Sequence, residues 1–237
     1  MENTLLHGKW APITFSVGFL ETNIGSACDA LIEWRKKIYS SIEVKTMKAN
    51  LENAFLSFEG LINPPKQELL ISTKSDWVAY FDNGMNGTDP FGPISYLSEI
   101  EHIRGLTITA VPHTLDDDYG KESGTYGSWQ FELFSSNRRD FLNIERSIGL
   151  TYDGGRWVFV NEGEILDFED QNAYRRRNVR SRFGFEILIS YCKSLGLDIN
   201  NSSFYGDDCC IISIKDTLKH ETELVEIHEV QKKLGLK

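Results

Sequence analysis

The sequence contains few cysteines and no long run of apolar residues. Its 237 residues include 4 cysteines, which show neither the paired spacing of a zinc site nor the density of a secreted disulfide scaffold. We therefore expect reduced, structural thiols at Cys28, Cys192, Cys209 and Cys210. Charged residues interrupt every apolar stretch before it reaches the roughly 20 residues that cross a bilayer, and the first twenty residues lack the pattern of a secretion signal. These absences predict a cytoplasmic protein without a membrane partner.

Basic residues are outnumbered by acidic ones. The chain has 25 lysines and arginines against 35 aspartates and glutamates, which gives a formal net charge of -10. Binding to a polyanion needs a positive surface, so this composition argues against nucleic acid as the main partner. An acidic body favours solubility, and it would also steer the protein towards a basic partner.

Catalytic motifs are absent from the sequence as well. No Gly-x-Ser-x-Gly element occurs, which the strand-to-helix nucleophile turn of an α/β-hydrolase requires. The five histidines are dispersed, and the spacing between His220 and His228 does not match the four-residue spacing of a zinc-binding pair on a helix. We therefore predict no catalytic residues, no metal site and no cofactor.

Hydrophobic periodicity changes along the chain. Before residue 63, apolar residues recur at helical spacing after an initial strand, in a segment that Ser26 could cap. After the two prolines that follow Asn63, short segments alternate polar and apolar residues as antiparallel strands do, and the turn Asp153-Gly154-Gly155 predicts a hairpin. Two further helices are expected near residues 94–103 and 185–196. Residues 222–234 fit either a strand or a helix.

This pattern predicts the fold class. We expect a single α+β domain over residues 1–237, with a helical part over about 1–63 and a strand-rich part over about 64–237. Because the helices are grouped and do not alternate with strands, the sheet should be mostly antiparallel and flanked by helices.

The segment DNGMNGTD, which begins at Asp82 and ends at Asp89, follows a predicted strand. It does not match a calcium loop, because the third position would be Gly84 and the twelfth Pro93. It also lacks the Gly-Lys-Ser/Thr ending of a phosphate loop. The segment is therefore predicted either as a simple chain reversal, since Asn and Gly tolerate left-handed backbone angles, or as a surface loop in which Asp82 and Asp89 contact a partner.

A second acidic segment is the first choice for partner contact. It lies in a loop that contains three glycines, and its predicted binding residues are Asp116, Asp117, Asp118, Tyr119 and Glu122. Three consecutive aspartates in a polar loop do not resemble a glycosidase pair, in which one acid must be buried enough to keep its proton. The segment is either a solvated loop or a charged contact surface.

Arginine is concentrated in one part of the chain. Nine of the 11 arginines fall within residues 138–182, a span that also contains many acids. Arginine forms planar, two-pronged contacts with carboxylates. These residues are predicted either to form an intramolecular network with the neighbouring acids or, in the Arg-rich segment 175–182, to hold an anionic ligand.

Several stretches together resemble a group of bacterial single-domain proteins. They comprise residues 77–84 and 87–89, residues 153–157 with Phe159, residues 182–183, the helix that carries Leu188 and Tyr191, and residues 195–196. In these features the chain is similar to immunity proteins of polymorphic toxin systems.

The resemblance implies a cytoplasmic, acidic α+β protein that binds a cognate protein toxin and neutralises it by occlusion. It implies a basic toxin as the partner and no catalytic residues. The alternative function is an enzyme or binding protein for an anionic small molecule that uses the Arg-rich segment 175–182.

Overall fold

The fold is built around one antiparallel sheet in a computed structural model that describes residues 3–115, 124–137 and 142–236. Within these residues the strands are β1 (Ser16–Leu20), β2 (Ile42–Lys48), β3 (Gln67–Thr73), β4 (Val78–Asp82), β5 (Gly105–Val111), β6 (Ser128–Phe134), β7 (Ile144–Tyr152), β8 (Trp157–Gly163) and β9 (Tyr205–Ile214). The α-helices are α1 (Ile24–Ile38), α2 (Leu51–Phe55), α3 (Phe91–Glu101), α4 (Gln171–Tyr174), α5 (Phe185–Ser194) and α6 (Ile227–Lys233). Short 3-10 helices cover Leu5–Gly8, Ile13–Phe15, Val179–Ser181 and Ser202–Phe204.

The strand order is β2-β9-β3-β4-β1-β5-β6-β7-β8. Each pair of neighbouring strands in this order is antiparallel. The predicted α+β class, with a mostly antiparallel sheet flanked by helices, is confirmed. The hairpin predicted from Asp153-Gly154-Gly155 is also confirmed, because it joins β7 to β8.

The N-terminal part is less helical than its sequence predicts. Strand β1 lies at the middle of the sheet between β4 and β5, and β2 forms one edge by pairing with β9. Both the N-terminal and the strand-rich parts therefore contribute to the same sheet. Helix α1 begins after Asn23, whose Oδ1 accepts a hydrogen bond from the Ser26 amide at 3.0 Å. Asn23, and not Ser26, is the capping residue.

One face of the sheet is covered by α1 and α3. Helix α1 packs on β2, β3 and β9, and α3 packs on β1, β5 and β6. The approach of α3 depends on two glycines, because a Cβ at Gly18 would lie 2.5 Å from Ile94 Cγ1 and a Cβ at Gly105 would lie 2.7 Å from Ile94 Cγ2. On β7 and β8 the same face carries the polar or half-exposed side chains Ser147, Thr151, Val158, Val160 and Glu162. We call this region the open face.

The other face carries the larger core. It includes Phe19, Phe81, Phe131 and Leu188, and α5 packs on β6 from this side. Tyr174 of α4, which lies against Phe159, belongs to the same core. This face is therefore covered from the N-terminal 3-10 helices to β8.

Cys28 of α1 and Cys210 of β9 are joined by a disulfide bond. The expectation of four reduced thiols is therefore wrong for this pair. The two residues are 182 positions apart in the sequence, so their spacing carried no signal of the pairing. Cys192 and Cys209 are buried thiols, as expected.

Candidate functional site

The five partner-binding residues predicted in the acidic segment lie outside the described residues. They are Asp116, Asp117, Asp118, Tyr119 and Glu122. The chain on either side of the segment is described, and it forms a paired base. The Thr125 amide donates to Thr114 Oγ1 at 2.8 Å, and the Thr114 amide donates to the Thr125 carbonyl at 3.1 Å. The acidic segment therefore leaves and rejoins the fold at one fixed point.

Five rings meet beside this base, and we call them the aromatic cluster: His113, Tyr126, Trp129, Tyr152 and Trp157. The indoles of Trp129 and Trp157 stack with their centroids 5.4 Å apart and their planes at 13°. His113 meets Tyr152 edge-on at 4.6 Å, and the Tyr126 ring lies 5.8 Å from that of Tyr152. Tyr126 is 56% exposed, so the cluster presents one ring to solvent.

Adjacent strand ends bring these rings together. His113 follows the end of β5, Trp129 lies near the start of β6, Tyr152 ends β7 and Trp157 begins β8. Because neighbouring strands are antiparallel, these four positions fall at the same end of the sheet. The aromatic cluster was not predicted from the sequence, since its members are spread over 45 positions and become neighbours only through the pairing of β5 to β8.

Gly127 allows the rings to pack this closely. A Cβ at this position would lie 2.5 Å from the Trp157 ring and 2.8 Å from the Cβ of His113. The Gly127 amide also donates to His113 Nδ1 at 3.1 Å, so that nitrogen carries no proton in this arrangement. A side chain at position 127 would therefore push apart the two stretches of chain, at His113 and at Gly127, that lie on either side of the acidic segment in the sequence.

The indole N–H groups of Trp129 and Trp157 are buried, and neither has an acceptor among the described residues. A buried donor without an acceptor costs about 1–3 kcal/mol, and such groups call for an explanation in a native fold. Both indoles belong to the same stack, so the aromatic cluster contains two buried N–H donors without acceptors among the described residues.

The Arg-rich segment 175–182 borders the aromatic cluster and uses several guanidinium groups within the fold. Arg180 lies over the Trp157 ring at 5.2 Å, and Arg182 lies over Phe159 at 5.8 Å. Arg176 donates to the Ser181 carbonyl at 2.7 Å. These contacts support the intramolecular alternative for the arginines over a clamp for an anionic ligand.

The strongest arginine contact of this region is deeply buried. Arg146 is 1% exposed and donates from Nε and Nη2 to the two carboxylate oxygens of Glu169, at 2.7 and 2.5 Å. Tyr174 donates its hydroxyl hydrogen to Glu169 at 2.8 Å, and its oxygen lies 2.8 Å from the Tyr191 hydroxyl, which must then be the donor between the two rings. The pair fixes the segment after β8 onto β7. It confirms part of the predicted arginine–acid network; Arg138 and Arg139 lie outside the described residues.

The segment from Asp82 to Asp89 is an internally bonded turn. The Asp82 carboxylate is 1% exposed and accepts the amides of Gly84 at 2.8 Å and Asp89 at 2.9 Å. The Thr88 hydroxyl donates to the Ile13 carbonyl at 2.9 Å. Burial raises the pKa of Asp82 to about 7, although both amide hydrogen bonds act in the opposite direction. Of the two predicted contact residues, only Asp89 has an exposed side chain; Asp82 holds the turn together and does not present its carboxylate to a partner.

A groove beside the N-terminal 3-10 helix offers a cavity of about 390 Å³. Leu6 and His7, which line it, both have positive φ angles of 51° and 57°, a conformation that is costly for residues other than glycine. The charged groups of the groove are Lys9 and Glu52, which pair with each other at 2.9 Å and are more than half exposed. This is not a buried acid–base pair of the kind that hydrolysis requires.

The remaining groups that could act in catalysis are poorly placed for it. Burial raises the pKa of the Cys209 thiol to about 11 and that of Cys192 still further above its ordinary value, so neither is a thiolate near neutral pH. Among the described residues, no group of three or more His, Cys, Asp or Glu side chains could hold a metal ion. The same residues contain no helix that is both long enough and apolar enough to cross a membrane.

Comparison with protein-family models, with curated proteins and with solved structures finds no match for the chain. Trp, Tyr and Arg side chains, which are enriched at protein interfaces, are concentrated at this end of the sheet, beside the base of the acidic segment.

Proposed function

We propose that this protein is an immunity protein that binds a basic bacterial toxin and neutralises it by covering its active site or substrate surface. The observation that carries the proposal is the aromatic cluster at the base of the acidic segment. The aromatic cluster supplies an anchor for affinity, and the acidic segment supplies negative charge that attracts a basic partner.

The anchor is the exposed edge of the cluster. Binding energy in protein interfaces is concentrated in tryptophan, tyrosine and arginine side chains that are packed firmly before the partner arrives. Tyr126 lies in solvent against Tyr152, and Arg180 covers Trp157. These side chains are already held by neighbours, so binding orders few of them and loses little conformational entropy.

The charge comes from the acidic segment and from the chain as a whole. Asp116, Asp117 and Asp118 lie in the sequence between Thr114 and Thr125, which form the base, and the net charge is -10. Attraction to a basic toxin would raise the association rate and would weaken as salt increases.

The proposal places the protein in the cytoplasm of the protected cell. The reducing environment of that compartment would act against the disulfide bond that the structure shows between Cys28 and Cys210. The packing of α1 on β3 and β9 involves many apolar side chains besides this pair, so the fold does not depend on the bond for its core.

The test is co-expression with the toxin encoded next to this protein. Cells that produce the toxin should survive only when the protein is present, and the purified pair should form a stoichiometric complex. Equal death rates with and without the protein would refute the proposed function.

Two matched variants locate the surface. Tyr126→Ala should weaken toxin binding by about ten- to a hundredfold, as the loss of an aromatic anchor does. Leu56→Ala removes a side chain that is similarly exposed, at 65%, but it directly follows α2 and is not part of the aromatic cluster, so this variant should bind like the unmodified protein. If the two variants bind equally well, the aromatic cluster is not the contact surface.

A further inference from the structure

We propose that strand β8 is the interface of a homodimer, in which β8 pairs antiparallel with β8 of a second copy and the sheet continues across a twofold axis. The proposal is independent of the toxin-binding function. It follows from the backbone of β8, the pattern of its side chains and the contrast with the opposite edge of the sheet.

The outer side of β8 is available for pairing. Strand β8 pairs with β7, and no strand among the described residues pairs along its other side. The Asp153 amide donates to the Arg156 carbonyl at 3.0 Å, and the Glu164 amide donates to the Glu145 carbonyl at 3.1 Å. One of these bonds lies just before β8 and the other just after it. Together they show which residues of β8 direct their backbone N–H and C=O groups towards β7 and which direct them outwards.

Hydrogen-bonded and non-hydrogen-bonded pairs alternate along an antiparallel ladder. Residues at even positions from Arg156 to Glu164 therefore direct their amides and carbonyls towards β7. Trp157, Phe159 and Asn161 direct theirs away from the sheet. This row of donors and acceptors is what a further strand would bind.

The side chains on the open face of β8, together with Arg156 of the preceding turn, are complementary to the same series in reverse order. In order they are Arg156, Val158, Val160 and Glu162. An antiparallel second copy centred on Phe159 places Arg156 opposite Glu162 and Val158 opposite Val160. The twofold axis repeats both pairs, so the interface contains two opposite-charge pairs and two valine pairs. The Arg156 guanidinium also lies 3.7 Å from the Asp153 carboxylate of its own chain.

These side chains are accessible. The Arg156 side chain is 82% exposed, Val160 is 38% exposed and is among the exposed large apolar residues of the chain, and Glu162 is exposed. On the opposite face of β8, Arg180 and Arg182 already cover Trp157 and Phe159, so self-pairing requires no new apolar contact there.

The other edge of the sheet is less suited to self-pairing. In β2 the Ala49 amide donates to the Asp207 carbonyl, so residues at even positions direct their backbone groups outwards. Full antiparallel self-pairing of β2 would centre on Lys45 and place the two copies of that lysine opposite each other. Lysines on an edge strand oppose such pairing. Lys45 and Lys48 therefore make β2 the less favourable edge for a second copy.

The experiment is a measurement of oligomeric state by sedimentation and by size-exclusion chromatography with light scattering, at protein concentrations up to about 100 µM. The unmodified protein should sediment with twice the mass of one chain. A monomer over the whole concentration range would overturn the proposal.

Charge reversal tests the register. Arg156→Glu and Glu162→Arg each place like charges opposite one another twice, and each should weaken dimerisation by at least about tenfold. The double variant Arg156→Glu/Glu162→Arg restores two opposite-charge pairs and should dimerise like the unmodified protein. Arg175→Glu, an exposed arginine away from β8, is the control and should leave the dimer intact.

Each variant changes an exposed side chain, and circular dichroism verifies that it is folded. Recovery of the dimer in the double variant is specific to antiparallel pairing of β8 with itself. Failure of the double variant to recover, or dimers of unchanged strength in both single variants, would overturn the interface.

Discussion

The two halves of the sheet differ in how they are covered. The half made of β2, β9, β3, β4, β1 and β5 has α1 and α3 on one face and the larger core on the other. The half made of β6, β7 and β8 is covered fully on one face only, and it carries the aromatic cluster, the base of the acidic segment and the edge β8. The first half is therefore enclosed on both faces, whereas the second half has an open face.

Each half is held by one buried arginine–glutamate pair. In the first half, Arg35 of α1 donates to Glu68 of β3 at 2.8 and 2.6 Å, and the Tyr80 hydroxyl donates to the same carboxylate at 2.7 Å. Burial acts to lower the pKa of Arg35, but the hydrogen bond and charge of Glu68 raise it above its ordinary value. In the second half, Arg146 and Glu169 are both enclosed. The second half has a core on one face only, so it should depend more on its pair.

The largest expected effect is the loss of the pair in the second half. Arg146→Ala leaves the Glu169 carboxylate buried without its counter-charge, and it should lower the free energy of unfolding by about 3–5 kcal/mol. Urea denaturation measures the change. Arg175→Ala, at an exposed arginine outside the proposed β8 interface, is the control and should change stability by less than about 1 kcal/mol. Equal effects from the two substitutions would contradict the assignment of Arg146 as the anchor of β7.

A pH dependence of intermediate size is expected from Asp82 in the first half. Its pKa in the folded protein is about 7, whereas an unfolded aspartate titrates near 3.9. The folded state therefore binds more protons between these values, and stability should fall as pH rises, by roughly 4 kcal/mol over the window. The contribution is fully present below about pH 4 and is lost as pH rises through 7.

Denaturation of the unmodified protein and of Asp82→Asn across pH 4 to 8 measures this contribution. The asparagine variant should show a flatter profile, because the group that titrates has been removed. Parallel profiles would show that the Asp82 carboxyl has an ordinary pKa in the folded protein.

A smaller effect is expected where α3 rests on β1. Gly18→Ala would place a Cβ against Ile94 and Pro90, and such overpacking should cost about 1–3 kcal/mol. Gly92→Ala, on α3 itself, meets no atom within 4 Å and should stabilise the protein by about 0.5–1 kcal/mol. Thermal denaturation distinguishes the two, and a loss of stability in both would mean that α3 does not approach the sheet as described.

The sequence predicted the features that depend on local pattern. Strands β3, β4, β5, β6 and β8 are rich in β-branched, aromatic and other apolar residues between turn signals, and the Gly154-Gly155 turn identified the β7–β8 hairpin. Strand β2 was missed because its solvent-facing residues are polar, as expected of an edge. The undecided C-terminal tail contains helix α6, which is only 7 residues long.

The features that escaped prediction depend on contacts between distant segments. The bond between Cys28 and Cys210 and the stack of Trp129 on Trp157 each join residues that are far apart in the chain. The burial of Asp82 was hidden because its neighbours in the sequence, Asn and Gly, are typical of exposed turns. From the sequence alone, an acid in such a segment is therefore predicted to be exposed, and only the tertiary structure shows that Asp82 is buried.

The paired threonines at positions 114 and 125 have a consequence for how such a protein diversifies. Because they bond to each other across the neck of the acidic segment, residues 116–123 can be lengthened, shortened or exchanged while β5 and β6 keep their register. Under the proposed function, new binding preferences would arise by replacing this short segment, without changes to the sheet.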